Sequence, residues 1–340
     1  MNFPTARMIR SDSLLSSKKL PNIQDHCEGE WVTCNEETLR RFSAAGYFFG
    51  KKLHQELNNI PIALIQSAWS GTPVELWEPN EVLDSDPATK EAATKIRDVA
   101  YRPNKPGYIY NSMIYPISNY TIAGVIWYQG EGNTVRASTY EKMFTGMIGA
   151  WRKQFEQDFP FYYVQIAPFA DYTSAYLREQ QTKTLSVLKT GMVVTSDLVD
   201  NIMDIHPQMK KEVGVRLANY ALAETYGKNK AAYKGPTYKE MKAEKNKIRI
   251  SFNNAESGLM IKAGKTPTDF YIAGDDKNFI PATAKIEGNT VVVWSKDIKN
   301  PTAVRFGFTN TAMPNLFSKD GLPVNLFRTD DWDVKITEPK

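Results

Sequence analysis

The chain has 340 residues, of which 42% are hydrophobic and 12% are aromatic, so it is long enough to bury a large core in one large or two medium domains. Its net charge of +4 is spread along the sequence, and the densest run of charge (KAEKNK, 242–247) mixes lysine with glutamate, which indicates a solvated loop and not a nucleic-acid patch. No apolar run reaches the length of about 18 residues that predicts a membrane span, and the N-terminal stretch MNFPTARMIRSDS lacks the apolar segment of a secretory signal.

Over the first two thirds of the chain, short apolar runs alternate with helical patterns. The runs are rich in β-branched and aromatic residues, which is typical of parallel strands buried on both faces. They are IPIALIQSAW (60–69), IAGVIWYQG (122–130), FYYVQIAP (161–168) and GMVVTSDL (191–198). Helices are predicted at 38–57, 138–154, 176–189 and 208–226. Strands alternating with helices predict an α/β domain, here 1–235, with a parallel sheet and helices on both of its faces.

After Gly235-Pro236 the pattern changes to short strands that are separated by Gly, Asn, Asp and Pro. The strands are KIRISFNN (247–254), GLMIK (258–262), DFYIAG (269–274), ATAKIEGNTVVVW (282–294) and AVRFGFTN (303–310). Such a pattern predicts an antiparallel, β-rich C-terminal segment or domain over 236–340.

The ends of two predicted strands carry residues suited to acyl transfer, because working residues of an open parallel sheet gather at the carboxyl ends of its strands. The first strand leads into SAWSGTPVELW (67–77), where Gly71 permits a tight turn whose backbone N–H groups can face an oxyanion. The second leads into WYQGEGN (127–133), which places the amide of Gln129 and the carboxylate of Glu131 at the rim.

His206 is one of only three histidines and lies in DIHP (204–207), just before a helix with apolar residues at helical spacing. Imidazole in that position can act as a general base near neutral pH, whereas the alternative is a surface histidine that merely precedes a helix. Together with Gln129 and Gly71, an Asp204/His206 pair predicts the base and oxyanion hole of an acyl-transfer site. An obvious nucleophile is missing from this set.

Three blocks, WYQGEGN, SAWSGTPVELW and DIHP followed by KKEVGVRLA, resemble those of the sialate O-acetylesterase family. These are carbohydrate esterases of the SGNH (GDSL) type with a flavodoxin-like sheet. The similarity continues through GEWVTCNEETLRRFSAAGYFFGKKL (29–53), YNSMIYPI (110–117), VQIAPF (164–169), LREQQ (177–181) and GLPVNLFRTDDW (321–332). It covers nearly the whole chain and implies removal of O-acetyl groups from sialic acid or a related sugar, by a mechanism of the Ser/His/Asp type.

The resemblance assigns roles by position. His206 matches the catalytic base, Asp204 an acidic partner, Gln129 the oxyanion-hole amide, and Gly71 the block that supplies a backbone donor. Glu131 and Asn133 of WYQGEGN complete the predicted substrate-binding set. The alternatives for the acidic partner are Asp197, Asp200 and Glu131, although the Glu131 carboxylate is better explained as holding its own loop.

Arg178, in LREQQ, is predicted to orient a substrate carboxylate, because guanidinium binds carboxylate bidentately. The alternative is a plain position on the helix surface. Four aromatic residues have two interpretations, a sugar-stacking wall or core packing. They are Trp69, Trp77, Trp127 and Tyr128.

Two departures from the family stand out. The family's nucleophilic serine lies in a GQSNM-like block at the end of its first strand, and no such block occurs in this sequence. We therefore expect a truncated chain without that serine and that strand, which leaves the strands at 60–69 and 122–130 without a shared neighbour. Neither Ser67 nor Ser70 lies in a Gly-x-Ser-x-Gly elbow, so neither is favoured as a substitute. Ser70 itself replaces a family glycine, and a requirement for φ > 0 there would strain it.

Three hypotheses remain open at this stage. The first is an O-acetylesterase whose serine is not identifiable, and the second is an inactive family member that acts at most as a carbohydrate-binding module. The third, which is the least favoured, is an unrelated α/β protein whose motifs are structural. The implied partner is an O-acetylated sugar, without nucleic acid or membrane, and the oligomeric state is unknown. The resemblance implies a periplasmic or secreted location for a full-length form. No ligand spacing predicts a metal and no glycine-rich phosphate motif predicts a cofactor. Cys27 and Cys34 are either free thiols or one small disulfide.

Overall fold

A computed structural model of the chain describes residues 3–8, 22–24, 27, 29–171, 174–228 and 231–334. The strands of the α/β part are β1 (Phe3–Met8), β2 (Glu30–Cys34), β3 (Leu64–Gln66), β4 (Val125–Trp127), β5 (Phe161–Val164) and β6 (Thr190–Val193). The α-helices are α1 (Glu36–Leu39), α2 (Ala44–Glu56), α3 (Asn80–Asp84), α4 (Pro87–Thr94), α5 (Tyr140–Gln154), α6 (Ser174–Lys183) and α7 (Lys210–Tyr220). Short 3-10 or π segments occur at Val74–Leu76, Tyr110–Ile114, Tyr115–Ile117, Glu131–Thr139, Thr184–Ser186 and Ala221–Thr225.

The chain divides into two structural units. Unit 1 comprises Met1–Val164, Gln180–Met192 and Lys210–Asn229, and unit 2 comprises Gln165–Glu179, Val193–Met209 and Lys230–Lys340. The segment that carries His206 therefore groups with unit 2, although it lies in the middle of the sequence.

A parallel sheet with strand order β4-β5-β6 confirms the predicted α/β fold class. β4 and β5 run parallel, with Val125 opposite Phe161. All four residues of β5 are buried, as expected for a central strand that is covered on both faces. Each predicted strand exists, but each is shorter than its apolar run.

β3 belongs to a different sheet, of order β2-β1-β3, in which it runs parallel to β1. No strand in the described part of the chain joins β3 to β4, so the four predicted strands do not form one hydrogen-bonded sheet. β3 instead has a parallel partner in Phe3–Met8, with Ala6 opposite Leu64. Its three residues are only half-buried, so the prediction of burial on both faces is wrong for this strand.

The helix predicted at 38–57 is two helices, because each has a capping side chain of its own. Asn35 accepts hydrogen bonds from the first turn of α1 and forms a capping box with Thr38. Ser43 begins α2, and its hydroxyl accepts a hydrogen bond from Gly46 N at 3.1 Å. The helices predicted at 138–154, 176–189 and 208–226 are confirmed in α5, α6 and α7 with their flanking segments.

Helices α2 and α7 pack closely at Gly214. A methyl group at Gly214 would lie 2.5 Å from Ala45 O and 2.9 Å from Phe49 N, which are both backbone atoms of α2. We expect Gly214→Ala to lower the free energy of unfolding by about 1–3 kcal/mol, because the backbones must separate. Urea unfolding monitored by circular dichroism measures this loss. The control is Gly149→Ala on α5, where a methyl group meets no atom within 4 Å, and an equal loss in both variants would contradict the packing explanation.

Unit 2 contains the predicted antiparallel β structure. Its strands are β7 (Thr237–Glu244), β8 (Lys247–Asn253), β9 (Leu259–Ile261), β10 (Phe270–Ala273), β11 (Ile280–Pro281), β12 (Thr283–Glu287), β13 (Thr290–Trp294), β14 (Ala303–Phe306), β15 (Leu316–Ser318) and β16 (Phe327–Arg328). They form sheets of order β11-β10-β14-β16, β12-β13-β8-β7 and β15-β9. A shared hydrophobic core includes Ile250, Val291 and Phe306, which are fully buried, and this confirms the β-rich segment.

Two further expectations concern the cysteines and the membrane. Cys27 and Cys34 are not joined by a disulfide bond, and burial raises the pKa of the Cys34 thiol. In the part of the chain that the structure describes, no helix is both long and apolar enough to cross a membrane.

Candidate active site

The turn after β3 is built around Gly71, which has a φ of 70°. The positive φ favours glycine, and a methyl group at this position would lie 2.9 Å from the hydroxyl oxygen of Tyr101 and would displace that side chain. Ser70 does not have a positive φ, and the strain considered for it does not arise. Across the described residues, no acceptor lies within hydrogen-bond geometry of the Gly71 N–H, and the residue is exposed. The turn therefore presents an available backbone donor.

Gln129 joins this turn to the WYQGEGN loop. Its Nε2 donates to Thr72 O at 3.1 Å and to Asn133 Oδ1 at 2.8 Å, while its Oε1 accepts from the Tyr140 hydroxyl at 3.0 Å. Two segments that are far apart in sequence are thereby held together. Both amide hydrogens of Gln129 are already donated, so this side chain can reach an oxyanion only by releasing one of these partners. Its oxyanion role stays a prediction.

Asn133 is fully buried and fixes the orientation of Gln129. Its Oδ1 accepts from Val74 N at 2.9 Å and its Nδ2 donates to Glu75 Oε2 at 2.7 Å. A backbone donor on one side and a carboxylate on the other allow only one placement of the Asn133 amide. The acceptor that it presents to Gln129 is fixed in turn. Asn133 thus has a positioning role in this geometry, and its predicted contact with substrate is untested.

The network ends on a buried ion pair that the sequence interpretation missed. Glu75 is 0% exposed, and its Oε1 accepts from Arg136 Nε at 3.0 Å. Arg136 also donates to Gly132 O and Lys95 O, at 3.1 and 3.3 Å. Hydrogen bonds link five residues, which we call the buried network: Glu75, Asn133, Arg136, Gln129 and Tyr140. Two features of the sequence could have indicated this pair. They are a glutamate just after the glycine turn and an arginine just after WYQGEGN.

Glu78 is a second buried carboxyl group near the same segment. It is 0% exposed, and neither of its carboxyl oxygens has a hydrogen-bond partner among the described residues. Burial, and then the charge of Glu75, raises the pKa of Glu78 well above its ordinary value of 4.5. The neutral form is therefore favoured, because a charge in this position would be desolvated and uncompensated.

We expect Glu78→Met to stabilise the chain by about 1–3 kcal/mol at neutral pH, since an apolar side chain of similar size removes an unsatisfied buried group. The folded-state pKa of Glu78 is raised, so its favourable contribution is complete below pH 4.5 and is lost as the pH rises above that value. The stability difference between variant and wild type should therefore grow with pH. Urea unfolding over a pH series measures it, and a difference that is flat with pH would contradict the titration. Glu81→Met, at an exposed glutamate, is the control.

His206 is exposed, as expected for a loop residue presented before a helix. Asp204 lies beside it, but Asp204 Oδ1 accepts from the backbone N of His206, at 2.8 Å. No described residue forms a hydrogen bond with the imidazole. Among the alternatives, Asp200 is exposed and the Asp197 carboxylate is 3.8 Å from Lys262 Nζ, with a side chain that is 5% exposed. The identity of the acidic partner stays a prediction.

Arg178 is 1% exposed, so the alternative of a helix-surface position is wrong. Its Nη2 donates to Thr309 O at 2.6 Å within unit 2. Burial lowers the pKa of the guanidinium to about 9. A carboxylate-binding role for Arg178 stays a prediction. Glu131 is half-buried, and its carbonyl oxygen accepts from Thr134 Oγ1 at 3.1 Å, which ties down the loop backbone.

The four aromatic residues considered for sugar stacking differ in burial. Trp77 and Trp127 are 3% and 7% exposed and meet edge-to-face at 5.4 Å, so the stacking-wall interpretation is wrong for these two core residues. Lys210 Nζ lies 4.7 Å from the centre of the Tyr128 ring. Trp69 is half-buried and donates through Nε1 to Tyr101 O at 3.1 Å. Sequence reasoning did not single out Tyr101, which lies beside the Gly71 turn.

Neither a substitute nucleophile nor a metal centre emerges from the described residues. The Ser67 hydroxyl is shielded from solvent and lacks a hydrogen-bond partner in this part of the chain, so an ester carbonyl cannot reach it. Ser70 is exposed but lies in no nucleophile elbow. Within the same described ranges, no three His, Cys, Asp or Glu side chains come together as a metal site requires.

Comparison with known proteins adds sequence and fold relationships. A family described as "Carbohydrate esterase, sialic acid-specific acetylesterase" matches residues 31–223. Sialate O-acetylesterases from Pongo abelii and Homo sapiens are each 32% identical over 253 residues, which is 66% of this chain and 48% of each relative. The chain therefore spans about half the length of these relatives. A crystal structure described as a novel carbohydrate acetylesterase from Xanthomonas citri is 33% identical, with a TM-score of 0.83 over 96% of this chain and 73% of that chain.

Proposed function

The chain belongs to the sialic acid-specific acetylesterase family of carbohydrate esterases, and we propose that it hydrolyses O-acetyl esters of sialic acid or a related sugar. The reaction follows the acyl-enzyme scheme, in which a hydroxyl attacks the acetyl carbonyl, the sugar alcohol leaves, and water releases acetate. His206 is the general base, and Asp204 or a neighbouring carboxylate is its acidic partner. The nucleophilic hydroxyl is not assigned to a residue.

One observation supports this function above the others. The hydrogen bond from Gln129 to Thr72 O fixes the WYQGEGN loop against a glycine turn. Gly71 in this turn is exposed, and its N–H has no acceptor among the described residues. A rigid, unengaged backbone donor can stabilise the oxyanion that forms when an ester carbonyl is attacked. Because the buried network holds both segments, this donor is preorganised and needs no rearrangement during the reaction.

The experiment is hydrolysis of two substrates by the purified chain. We expect release of acetate from 9-O-acetyl-N-acetylneuraminic acid and release of nitrophenol from p-nitrophenyl acetate, each above the rate with heat-denatured chain. The second substrate lacks a sugar, so it reports the acyl-transfer machinery alone. A chain that unfolds cooperatively but hydrolyses neither substrate would contradict the proposed activity.

A second candidate function is carbohydrate binding without hydrolysis. The buried Ser67 hydroxyl and the lack of a GQSNM-like block favour it, because a site that handles the oxyanion can persist without a nucleophile. In that case the folded chain binds the sugar but leaves both esters intact. The binding titration described below distinguishes the two functions.

A further inference from the structure

We propose that Tyr101 stacks on the sugar ring of the substrate and so sets the preference of the site for acetylated sugars over simple acetyl esters. This inference rests on the proposed function. Tyr101 is 64% exposed, whereas the other large aromatic residues near the Gly71 turn are half-buried or lie in the core. An exposed aromatic ring beside this turn offers an apolar surface on which a ligand that reaches the turn can pack.

The position of the ring relative to Gly71 is defined. A methyl group at Gly71 would lie 2.9 Å from the Tyr101 hydroxyl oxygen and 3.1 Å from Cε2, so the phenol end of the ring contacts the turn. The turn carries the Gly71 N–H, which has no acceptor among the described residues and which the proposed function assigns to the oxyanion. A sugar whose acetyl group is at that N–H therefore has its ring within reach of Tyr101.

The backbone of Tyr101 is held in place while its side chain stays exposed. Trp69 Nε1 donates to the Tyr101 carbonyl at 3.1 Å. Next to it, the Arg102 guanidinium is buried and donates to Pro103 O and Arg97 O, at 2.9 and 3.3 Å, which curls the segment around itself. A pinned backbone loses little conformational entropy when a ligand binds, so contact with the ring is converted into affinity.

Both ends of this segment are anchored in the buried network. Arg136 Nη1 donates to Lys95 O at 3.3 Å, and Gly107 N donates to Glu75 O at 3.0 Å. Residues 95–107, named here the rim loop, are therefore tied to the same Glu75–Arg136 pair that supports Gln129. The rim loop and the oxyanion donor are parts of one rigid assembly within unit 1.

A pyranose ring suits this surface because it has an apolar face of C–H groups and a polar edge of hydroxyls. Tyrosine offers the matching combination, an apolar ring face and a hydroxyl at one end. A flat, mostly apolar side chain also tolerates different substituents on the sugar.

The test is a binding titration with the methyl α-glycoside of N-acetylneuraminic acid, followed by ligand-observed NMR, on the wild-type chain and its variants. We expect Tyr101→Ala to raise the dissociation constant roughly fivefold to tenfold, the equivalent of a lost ring contact. Tyr101→Phe keeps the ring and should stay within about twofold of wild type. Trp31→Ala removes another exposed aromatic residue of unit 1 and serves as the matched control. Thermal unfolding of each variant confirms its folding.

The outcomes separate this inference from the proposed function. Sugar binding that is weakened by Tyr101→Ala and not by Trp31→Ala supports stacking, even in a chain that hydrolyses no ester. Unchanged binding in Tyr101→Ala, or no binding by wild type, overturns stacking. If the wild-type chain still hydrolyses p-nitrophenyl acetate in that case, the esterase function stands alone. In an active chain, Tyr101→Ala should raise KM for the acetylated sugar, whereas Trp31→Ala should leave this KM unchanged.

Discussion

His206→Ala is expected to lower the rate of p-nitrophenyl acetate hydrolysis by about 10²–10⁴-fold, the usual contribution of a general base. The imidazole is exposed and has no hydrogen bond with any described residue, so its removal leaves no buried group unsatisfied. The loop should keep its shape, because Asp204 bonds to the backbone N–H of residue 206, which alanine also has. Stopped-time assays at saturating substrate, together with urea unfolding, separate lost chemistry from lost structure.

The chain offers a matched histidine control. His54, near the end of α2, bonds through Nδ1 to Ile60 O at 2.7 Å and has no part in the site. His54→Ala should hydrolyse the ester at the wild-type rate. Equal rates for wild type and His206→Ala would rule out His206 as the base. A rate above background in both would then indicate that another group accepts the proton.

Glu75→Ala should destabilise unit 1 by about 3–5 kcal/mol, because it leaves the Arg136 guanidinium buried without its counter-charge. The same change removes the acceptor of Asn133 Nδ2, so the amide that orients Gln129 is released. We therefore expect a lower rate of ester hydrolysis even in the fraction of chain that remains folded. Guanidinium unfolding followed by tryptophan fluorescence reports this unit, since Trp77 and Trp151 lie in its core.

A double replacement tests whether the loss comes from the unpaired charge. Glu75→Leu combined with Arg136→Met removes both charges and should recover much of the stability, as an apolar pair costs no desolvation of charge. It should not recover activity, because Asn133 remains without its acceptor. Arg40→Ala, in an exposed pair with Glu36, is the control and should have no measurable effect. If Glu75→Ala lowers the free energy of unfolding no more than Arg40→Ala does, the explanation by an unpaired buried charge is contradicted.

The features that the sequence predicts best are local ones. Continuous apolar runs identified β4, β5 and β6, and strong helix periodicity identified α5 and α7. The glycine turn and the WYQGEGN loop were correctly expected to lie together, because each follows the carboxyl end of a predicted parallel strand. The histidine was correctly expected on an exposed loop, since Pro207 and an amphipathic helix follow it.

The missed features depend on pairing over long separations. Glu75 and Arg136 are 61 positions apart, and each alone resembles an ordinary surface charge. Trp77 and Trp127 were considered for stacking because composition cannot distinguish a core indole from an exposed one. Tyr101 lies in a stretch without periodicity, so only its exposure beside Gly71 reveals it. The parallel pairing of β3 with β1 likewise depends on which backbone edges meet, which side-chain patterns do not encode.

The way the rim loop is anchored allows it to be replaced as a unit by another sequence in enzyme engineering. On the loop side, both anchors are main-chain groups, the carbonyl of residue 95 and the N–H of residue 107, which almost any inserted sequence supplies. Gly107 is the exception that must be retained, because it has a φ of 72° and a methyl group there would lie 2.8 Å from Asn80 Oδ1. The sequence of the rim loop can therefore vary widely among related chains without loss of its attachment to the Glu75–Arg136 pair.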